Sequence, residues 1–306
     1  MHTNDFPYKE PNTPFIRFNT FILKYQFLTL LETSRRKKKI DNSRSSNTIP
    51  KMLHTLPSLQ RAEVIHRPSK SIKSPYVADI KLADGTTALC HTPGLGCCGL
   101  VAPNRIIYVS KATGAKAKTA YTAQLSESAD PTGTYYVGIH PMISQAVAGK
   151  LLDKIATDVV WKGEVKISDH TRLDFVGTTP DGKKTYVEVK NAMISISTEA
   201  RQIRRAVFPE GFRKSKADPV SPRAVKHAET LAELVKLPDT QAAYLVFIVP
   251  RNDCGGGLEL NKLDPIYCNA VKNAVAAGVQ VRVFGLAFQV DGTIAFDKIL
   301  PFSIPA

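Results

Sequence analysis

The chain has 306 residues, 43% of them hydrophobic, and a formal net charge of +14. That length sets a prior of about two domains and permits a sizeable core. The charge points to polyanion partners, nucleic acid or an anionic surface. No apolar run approaches the roughly 18 residues of a membrane span, so no membrane partner is expected. Five cysteines, Cys90, Cys97, Cys98, Cys254 and Cys268, contain no Cys-x-x-Cys pair. The odd count argues against a secreted disulfide framework. Cys90, His91, Cys97 and Cys98 fit no usual zinc spacing, so buried, inert thiols are expected.

Residues 1–51 read as a disordered or targeting extension. They hold ten Lys/Arg against four Asp/Glu, so +6 of the charge sits here and +8 in the remainder. Apolar Phe15-Ile16-Arg17-Phe18 and Phe21-Ile22-Leu23 precede the basic run Arg35-Arg36-Lys37-Lys38-Lys39. Asp5, Glu10 and the late apolar run fit a secretory signal poorly. The basic run reads as a charged linker, with a nuclear import signal or a nucleic-acid arm as the alternative. Met52 is an alternative working start. An intracellular protein, nuclear or cytoplasmic, is expected, with organelle targeting by residues 1–51 as the other reading.

Residues 52–140 are expected to form a small β-barrel. Tyr76 to Leu82 meets Thr86 to Cys90 across Ala83-Asp84-Gly85, a hairpin signal. Arg105 to Val109, Thr119 to Leu125 and Tyr135 to Ile139 follow as strands. About five short strands suit the OB-like barrel that binds oligonucleotides. Lys111, Lys116 and Lys118 decorate one loop, either as solvated charge or as phosphate contacts.

Residues 141–306 read as a mixed α/β domain. Ile143, Val147, Leu151, Leu152 and Ile155 have helical spacing. Val159 to Ile167 reads as a strand. Ser221 and Pro222 announce a helix, as cap and first residue. Arg223, Lys226 and His227 stand at i, i+3 and i+4 near its start, one cationic patch. A helix start already favours anions, so cations there argue for a shared phosphate, against the plainer reading of a solvated face. Ala242 to Val249 is a continuous apolar run, a strand buried on both faces. Asp264 and Pro265 open a second helix, and Val279 to Phe284 closes the sheet.

Between these elements lies Arg172 to Asn191. Arg172 to Val176 and Tyr186 to Lys190 both alternate polar and apolar, the period of a half-buried strand. Thr179-Pro180-Asp181-Gly182-Lys183 supplies the turn. A loop centred on Asp181 puts Asp174 opposite Glu188, and Arg172 opposite Lys190. Directly opposed Cβ atoms lie about 4.5–5.5 Å apart, and two carboxylates that close repel by roughly 3 kcal/mol at an effective dielectric near 20. Lys190, Arg172 or a metal ion is expected to stand between them. Asp followed by Glu-x-Lys is also the core of a nuclease site. The carboxylates hold Mg²⁺, a hard cation, and the lysine polarises water or steadies charge on the scissile phosphate. The same Glu-Val-Lys is what the wet face of any amphipathic strand looks like.

The segments GEVKISDHTRLDFVG, KTYVEVKN, VFPEGFRKSKADPVSPRAVKHAETL, YLVFIVPRND and LDPIYCNAVKNAVAAGVQV, in that order, resemble the sugar fermentation stimulation protein A family. The similarity spans about Leu56 to Pro305. HTPGLGCCGL looks like the barrel loop of eukaryotic-type members, where bacterial members more often carry an Asn-Thr-Gly-Arg type sequence. The resemblance implies an OB-like barrel followed by a PD-(D/E)xK nuclease-like domain, DNA binding, and a role in sugar-utilisation genes. It places Asp174, Glu188 and Lys190 on the nuclease positions. It makes Glu164 a candidate further metal ligand and matches Arg223, Lys226 and His227 to a basic helix start. Two functions follow: a DNA-binding protein with a Mg²⁺-dependent phosphodiesterase site (Mn²⁺ as an alternative ion), or a non-catalytic nucleic-acid binder or regulator with a remnant site.

Overall fold

The structure is a computed structural model that describes residues 52–94, 96–114, 117–131, 133–169, 171–198, 203–211, 213 and 215–305. The expectations for residues 1–51 and for Lys116 lie outside the described residues. From Met52 onward the described residues belong to one compact unit.

Strand β1 (Met52–Thr55) precedes β2 (Gln60–His66), β3 (Val77–Leu82), β4 (Thr87–His91), β5 (Ile106–Lys111), β6 (Tyr121–Asp130) and β7 (Gly133–Gly138). Strands β2 to β7 form a sheet of order β4-β3-β2-β5-β6-β7. A parallel contact, Cys90 opposite Tyr121 and His91 opposite Thr122, joins β4 to β6 and curls the sheet into a barrel. This is the strand-rich N-terminal domain expected, partly ringed, with one difference. Its central strand is β2, which pairs with both β3 and β5 and which the sequence pattern did not mark. Ala62, Val64, Ile80, Ile107, Val109, Ala123 and Val137 fill its core. Cys90 and Cys97 are buried free thiols in the same core.

Helix α1 (Pro141–Gly149) leads into β8 (Val160–Ser168), β9 (Thr171–Thr178), β10 (Lys184–Asn191), β11 (Ile194–Thr198) and β12 (Ile203–Phe208). Then come α2 (Pro222–Leu234), β13 (Thr240–Val249), β14 (Leu258–Leu260), α3 (Pro265–Ala276), β15 (Gln280–Phe288), β16 (Thr293–Ile299) and β17 (Phe302–Ser303). The main sheet has the order β1-β16-β15-β13-β10-β9-β8, and a small sheet has the order β11-β12-β14-β17. β1 thus leaves the barrel segment and pairs antiparallel with β16. The helix expected through Ile155 ends at Gly149. A 3-10 turn over Leu152–Lys154 follows, and Leu151, Leu152 and Ile155 still reach the core.

β13 shows why the sheet is buried on both sides. Its Ala243, Leu245, Phe247 and Val249 face α2 and α3, while Tyr244, Val246 and Ile248 face α1. Each fully buried Val, Leu, Ile or Phe among them contributes about 1.5–3 kcal/mol. Two of the helices, α2 and α3, are capped as the sequence predicts. Ser221 Oγ accepts from Ala224 N at 3.2 Å, and Asp264 Oδ1 accepts from Tyr267 N at 3.1 Å. In the β9–β10 hairpin, Gly182 takes φ +85°, the left-handed conformation the turn requires.

A buried ion-pair network ties β6 to the small sheet. Arg251 Nε and Nη2 donate to the two oxygens of Asp253 at 2.6 Å each, and its Nη1 donates to Met193 O at 3.0 Å. Arg204 on β12 pairs with Asp253 at 3.4 Å and with Asp130, at the end of β6, at 2.6 Å. The Arg251 and Asp253 side chains are 3% and 2% exposed. Asp253→Ala strips Arg251 of its carboxylate partner and is expected to cost about 3–5 kcal/mol. Urea unfolding measures it, and an unchanged midpoint contradicts this reading of the network.

Candidate active site and nucleic-acid interface

The β9–β10 ladder runs from Thr178 opposite Lys184 to Phe175 opposite Val187 and stops there. One step further, this register carries Asp174 beside Glu188, as the turn predicts. The ladder ends because the Asp174 side chain takes over from the neighbouring backbone. Its Oδ2 accepts the Val189 N–H at 2.7 Å. The alternation of β9 also breaks here. Leu173 packs in the α2–α3 layer and Phe175 against the α1 layer, although residues two apart in a regular strand share a face.

Glu164 stands next in the row. Gly163 pairs with Phe175 and Val165 with Leu173, which brackets Glu164 against Asp174. Glu164 holds φ +52°, the left-handed region, uncommon in a strand for a residue with a Cβ. Backbone held this way tends to gather at functional sites. Three carboxylates, Glu164, Asp174 and Glu188, therefore lie on three adjacent strands.

Each is answered locally. Glu188 is 3% exposed, and Lys190 Nζ donates to its Oε1 at 2.6 Å. His227, on α2, brings Nδ1 against the same oxygen and lies 3.1 Å from Lys190 Nζ. Burial pushes the Glu188 carboxyl up, but the His227 hydrogen bond and the Lys190 charge outweigh it and the net shift is downward. Among the described residues, its buried Oε2 has no hydrogen-bond partner. Gln145 on α1 donates from Nε2 to Asp174 Oδ1 at 2.9 Å and to Glu164 Oε1. Arg172 reaches Glu164 Oε2 at 3.6 Å. Burial raises the Asp174 carboxyl to about 6, with the Glu188 charge adding to it, and the Val189 N–H and Lys190 do not cancel that.

Beside this row lies a groove of about 690 Å³. Lys166 and Arg172 line one wall, and Arg223, Lys226 and His227 line the other. Lys166 pairs with Asp169 at 2.7 Å on the surface. Arg223 and Lys226 are exposed, whereas His227 is buried and joins the groove to Glu188. Lys111 and Lys118 are exposed on the barrel. Gln145 and Lys166 were not singled out by the sequence, whereas Arg172, expected as a cation at the carboxylates, is found on Glu164. The one signal for Gln145 is the polar pair Ser144-Gln145 inside an otherwise apolar helix. Ser144 is itself buried, with Oγ donating to Asn191 Oδ1 at 2.8 Å.

A family model described as the sugar fermentation stimulation protein RE domain matches residues 140–292. A sugar fermentation stimulation protein homolog of Rhodospirillum centenum is 32% identical over 231 residues, 74% of this chain and 92% of that protein. The chain belongs to the sugar fermentation stimulation protein family. A homolog of the same name from Synechococcus elongatus is 30% identical over 239 residues, 76% of this chain and 91% of that protein. Both relatives are bacterial. The fold is shared with the structure of Pyrococcus furiosus SfsA in complex with Ca²⁺. That chain is 21% identical, with a TM-score of 0.64, covering 83% of this chain and 99% of that one. The segments that carry the family resemblance, KTYVEVKN among them, thus include the strand that holds Glu188 and Lys190.

The raised Asp174 carboxyl has a consequence for stability. Folded Asp174 keeps a proton that the unfolded chain, with an ordinary aspartate pKa near 4, has already released. Between about pH 4 and 6 the wild type therefore loses stability as pH rises. Asp174→Asn removes that loss, and Gln145 can turn its amide oxygen toward the new donor. The variant is expected to gain about 2–3 kcal/mol on the wild type between about pH 4 and pH 7 in metal-free buffer. Urea midpoints at both pH values read it, and a pH-independent difference contradicts it.

Proposed function

We propose that this protein binds DNA and carries a Mg²⁺-dependent phosphodiesterase site of the PD-(D/E)xK type. The observation that carries this reading is the meeting of the acidic row and the cationic groove at His227. Phosphate charge in the groove would lie beside carboxylates that can hold a metal. The donor set suits Mg²⁺, which takes oxygen ligands and needs only one or two carboxylates besides water and phosphate. Glu188 Oε2, buried and without a hydrogen-bond partner among the described residues, is an oxygen that could take a cation, and Asp174 resists ionising where it stands. Among the described residues no three His, Cys, Asp or Glu side chains are grouped closely enough to hold a metal ion by themselves. The Ca²⁺ in the Pyrococcus furiosus structure supports a divalent ion here.

Asp174 and Glu188 would hold the ion, with Glu164 as a further carboxylate. When bound, Mg²⁺ polarises a phosphoryl oxygen and offsets charge on the scissile phosphate. Lys190 has its ammonium fixed against Glu188, beside the reacting phosphate, where it steadies negative charge or polarises the attacking water. Gln145 keeps Asp174 and Glu164 oriented. Arg223 and Lys226 take the flanking phosphates, and the barrel lysines Lys111, Lys116 and Lys118 track the strand by charge. The eukaryotic-type reading of residues 91–100 rests on that loop alone. An alignment in which eukaryotic members lack the HTPGLGCCGL pattern would remove it.

A second reading is a nucleic-acid binder or regulator without turnover. It is favoured by Lys190 and His227 already satisfying Glu188 Oε1. Purified protein incubated with varied DNA and RNA decides between the two. Cleavage is expected with Mg²⁺ or Mn²⁺ and not with chelator, and Lys190→Ala and Asp174→Ala are expected to lower it by about 100-fold or more. No cleavage by the wild type, or equal cleavage by Lys190→Ala, overturns the catalytic reading. In chelator, Arg223→Ala with Lys226→Ala is expected to lower the slope of log affinity against log salt by about 2. An unchanged slope removes these two residues from the interface under either reading.

A further inference from the structure

The barrel carries a second cleft, of about 450 Å³, away from the acidic row. Two loops bound it. One joins β2 to β3 and contributes Ser74 and Tyr76; the other joins β5 to β6 and contributes Ala112 to Gly114 and Ala117 to Thr119. His91 and Thr122, opposite each other where β4 closes on β6, form its floor. Counting β2 as the first barrel strand, these are the loops between strands one and two and between strands four and five. In barrels of this kind those two loops flank the oligonucleotide path.

The charge of the two loops points the same way. Residues 67–76 carry Arg67, Lys70 and Lys73, residues 111–120 carry Lys111, Lys116 and Lys118, and neither stretch holds an acidic residue. Lys70, Lys73, Lys111 and Lys118 are exposed. The first loop is built rather than draped. Ser69 Oγ and Lys70 N donate to the two oxygens of Asp79 at 2.6 and 2.9 Å, and Arg67 Nη2 donates to Pro75 O at 2.8 Å. Tyr76, at the end of this tethered loop, is 42% exposed at the cleft rim. An aromatic ring held at the edge of a cationic cleft gives up little conformational freedom when a base stacks on it.

We propose that this cleft is a single-stranded nucleic-acid subsite, with Tyr76 as the platform for one unstacked base and Lys118 as a contact to an adjoining phosphate. The subsite rests on the reading of this protein as a nucleic-acid binder, but not on any cleavage by it. A duplex offers no free base face to Tyr76, so the subsite selects strand ends, gaps or single strands.

Fluorescence anisotropy of a labelled oligothymidylate of about 12 nucleotides, titrated with full-length protein in chelator, tests it. Tyr76→Ala is expected to weaken binding roughly 10-fold or more, and Tyr76→Phe to bind as wild type, because the ring is what stacks. Lys118→Ala is expected to weaken binding and to lower its salt slope by about 1. Binding of a blunt duplex of the same length is expected to be unchanged in Tyr76→Ala. Wild-type affinity for the oligothymidylate in Tyr76→Ala, an equal loss in Tyr76→Phe, or an equal loss for the duplex each overturns the subsite. So does a wild type that cleaves duplex DNA yet ignores the oligothymidylate, and in that case the phosphodiesterase reading stands. A wild type that binds through Tyr76 but cleaves nothing upholds the subsite and removes the phosphodiesterase.

Discussion

A carboxylate buried at the end of a sheet strand must be answered by positive charge, and Glu188 sets that requirement for everything around it. At 3% exposure it would cost several kcal/mol if left alone. Lys190 answers because a strand repeats its face every two residues. His227 answers from another element, which fixes how α2 lies against β10. With His227 turned to the sheet, Arg223 stands one turn earlier on the same side, at the helix start that overhangs the groove. Lys226, one residue back, turns to the solvent edge. The basic patch is thus aimed by the buried end of its own helix.

The break in β9 divides the site between two layers. On one side Glu188 and Lys190 meet α2, and on the other Asp174 and Glu164 meet Gln145 of α1. A regular strand cannot present one carboxylate between two helix layers. The loss of ladder pairing after Phe175, with the Val189 N–H given to Asp174 instead of to a carbonyl, lets the carboxylate turn between them. The left-handed backbone at Glu164 is the matching irregularity on β8.

Local signals were legible in the sequence where the partner lay close in the chain. The turn at Pro180 to Gly182 fixed the register that brings Asp174 to Glu188. Ser221 and Asp264 marked both helix starts, and the apolar run in β13 gave its double burial. What depended on distant partners was not legible. β1 is four residues long and means nothing until β16 pairs with it. β2 reads Gln-Arg-Ala-Glu-Val-Ile-His, with most of one face wet, so its hydrophobic signal rests on Ala62 and Val64. β11 and β12 are rich in Ser, Thr and Arg and are held by each other and by β14. His227 was expected in one phosphate-facing cationic patch with Arg223 and Lys226, because a helical pattern cannot tell which polar residue meets a buried acid. Gln145 gave less signal still, since its partners are 19 and 29 residues away.

The charge balance of the row bears on what it can accept. Glu164, Asp174 and Glu188 bring three negative charges when ionised, and Lys190 and Arg172 return two, which leaves one negative charge among these five side chains. Burial is the main cause of the raised Asp174 carboxyl, and the negative charge of Glu188 adds to it. A divalent cation arriving alone would overshoot by one charge, and a phosphodiester arriving alone would deepen the deficit. Together they bring one net positive charge, which matches what the row lacks. On the proposed reading, metal and nucleic acid should therefore favour each other's binding here. The groove cations, Arg223 and Lys226, lie beside the row and can hold the neighbouring phosphates without disturbing that balance.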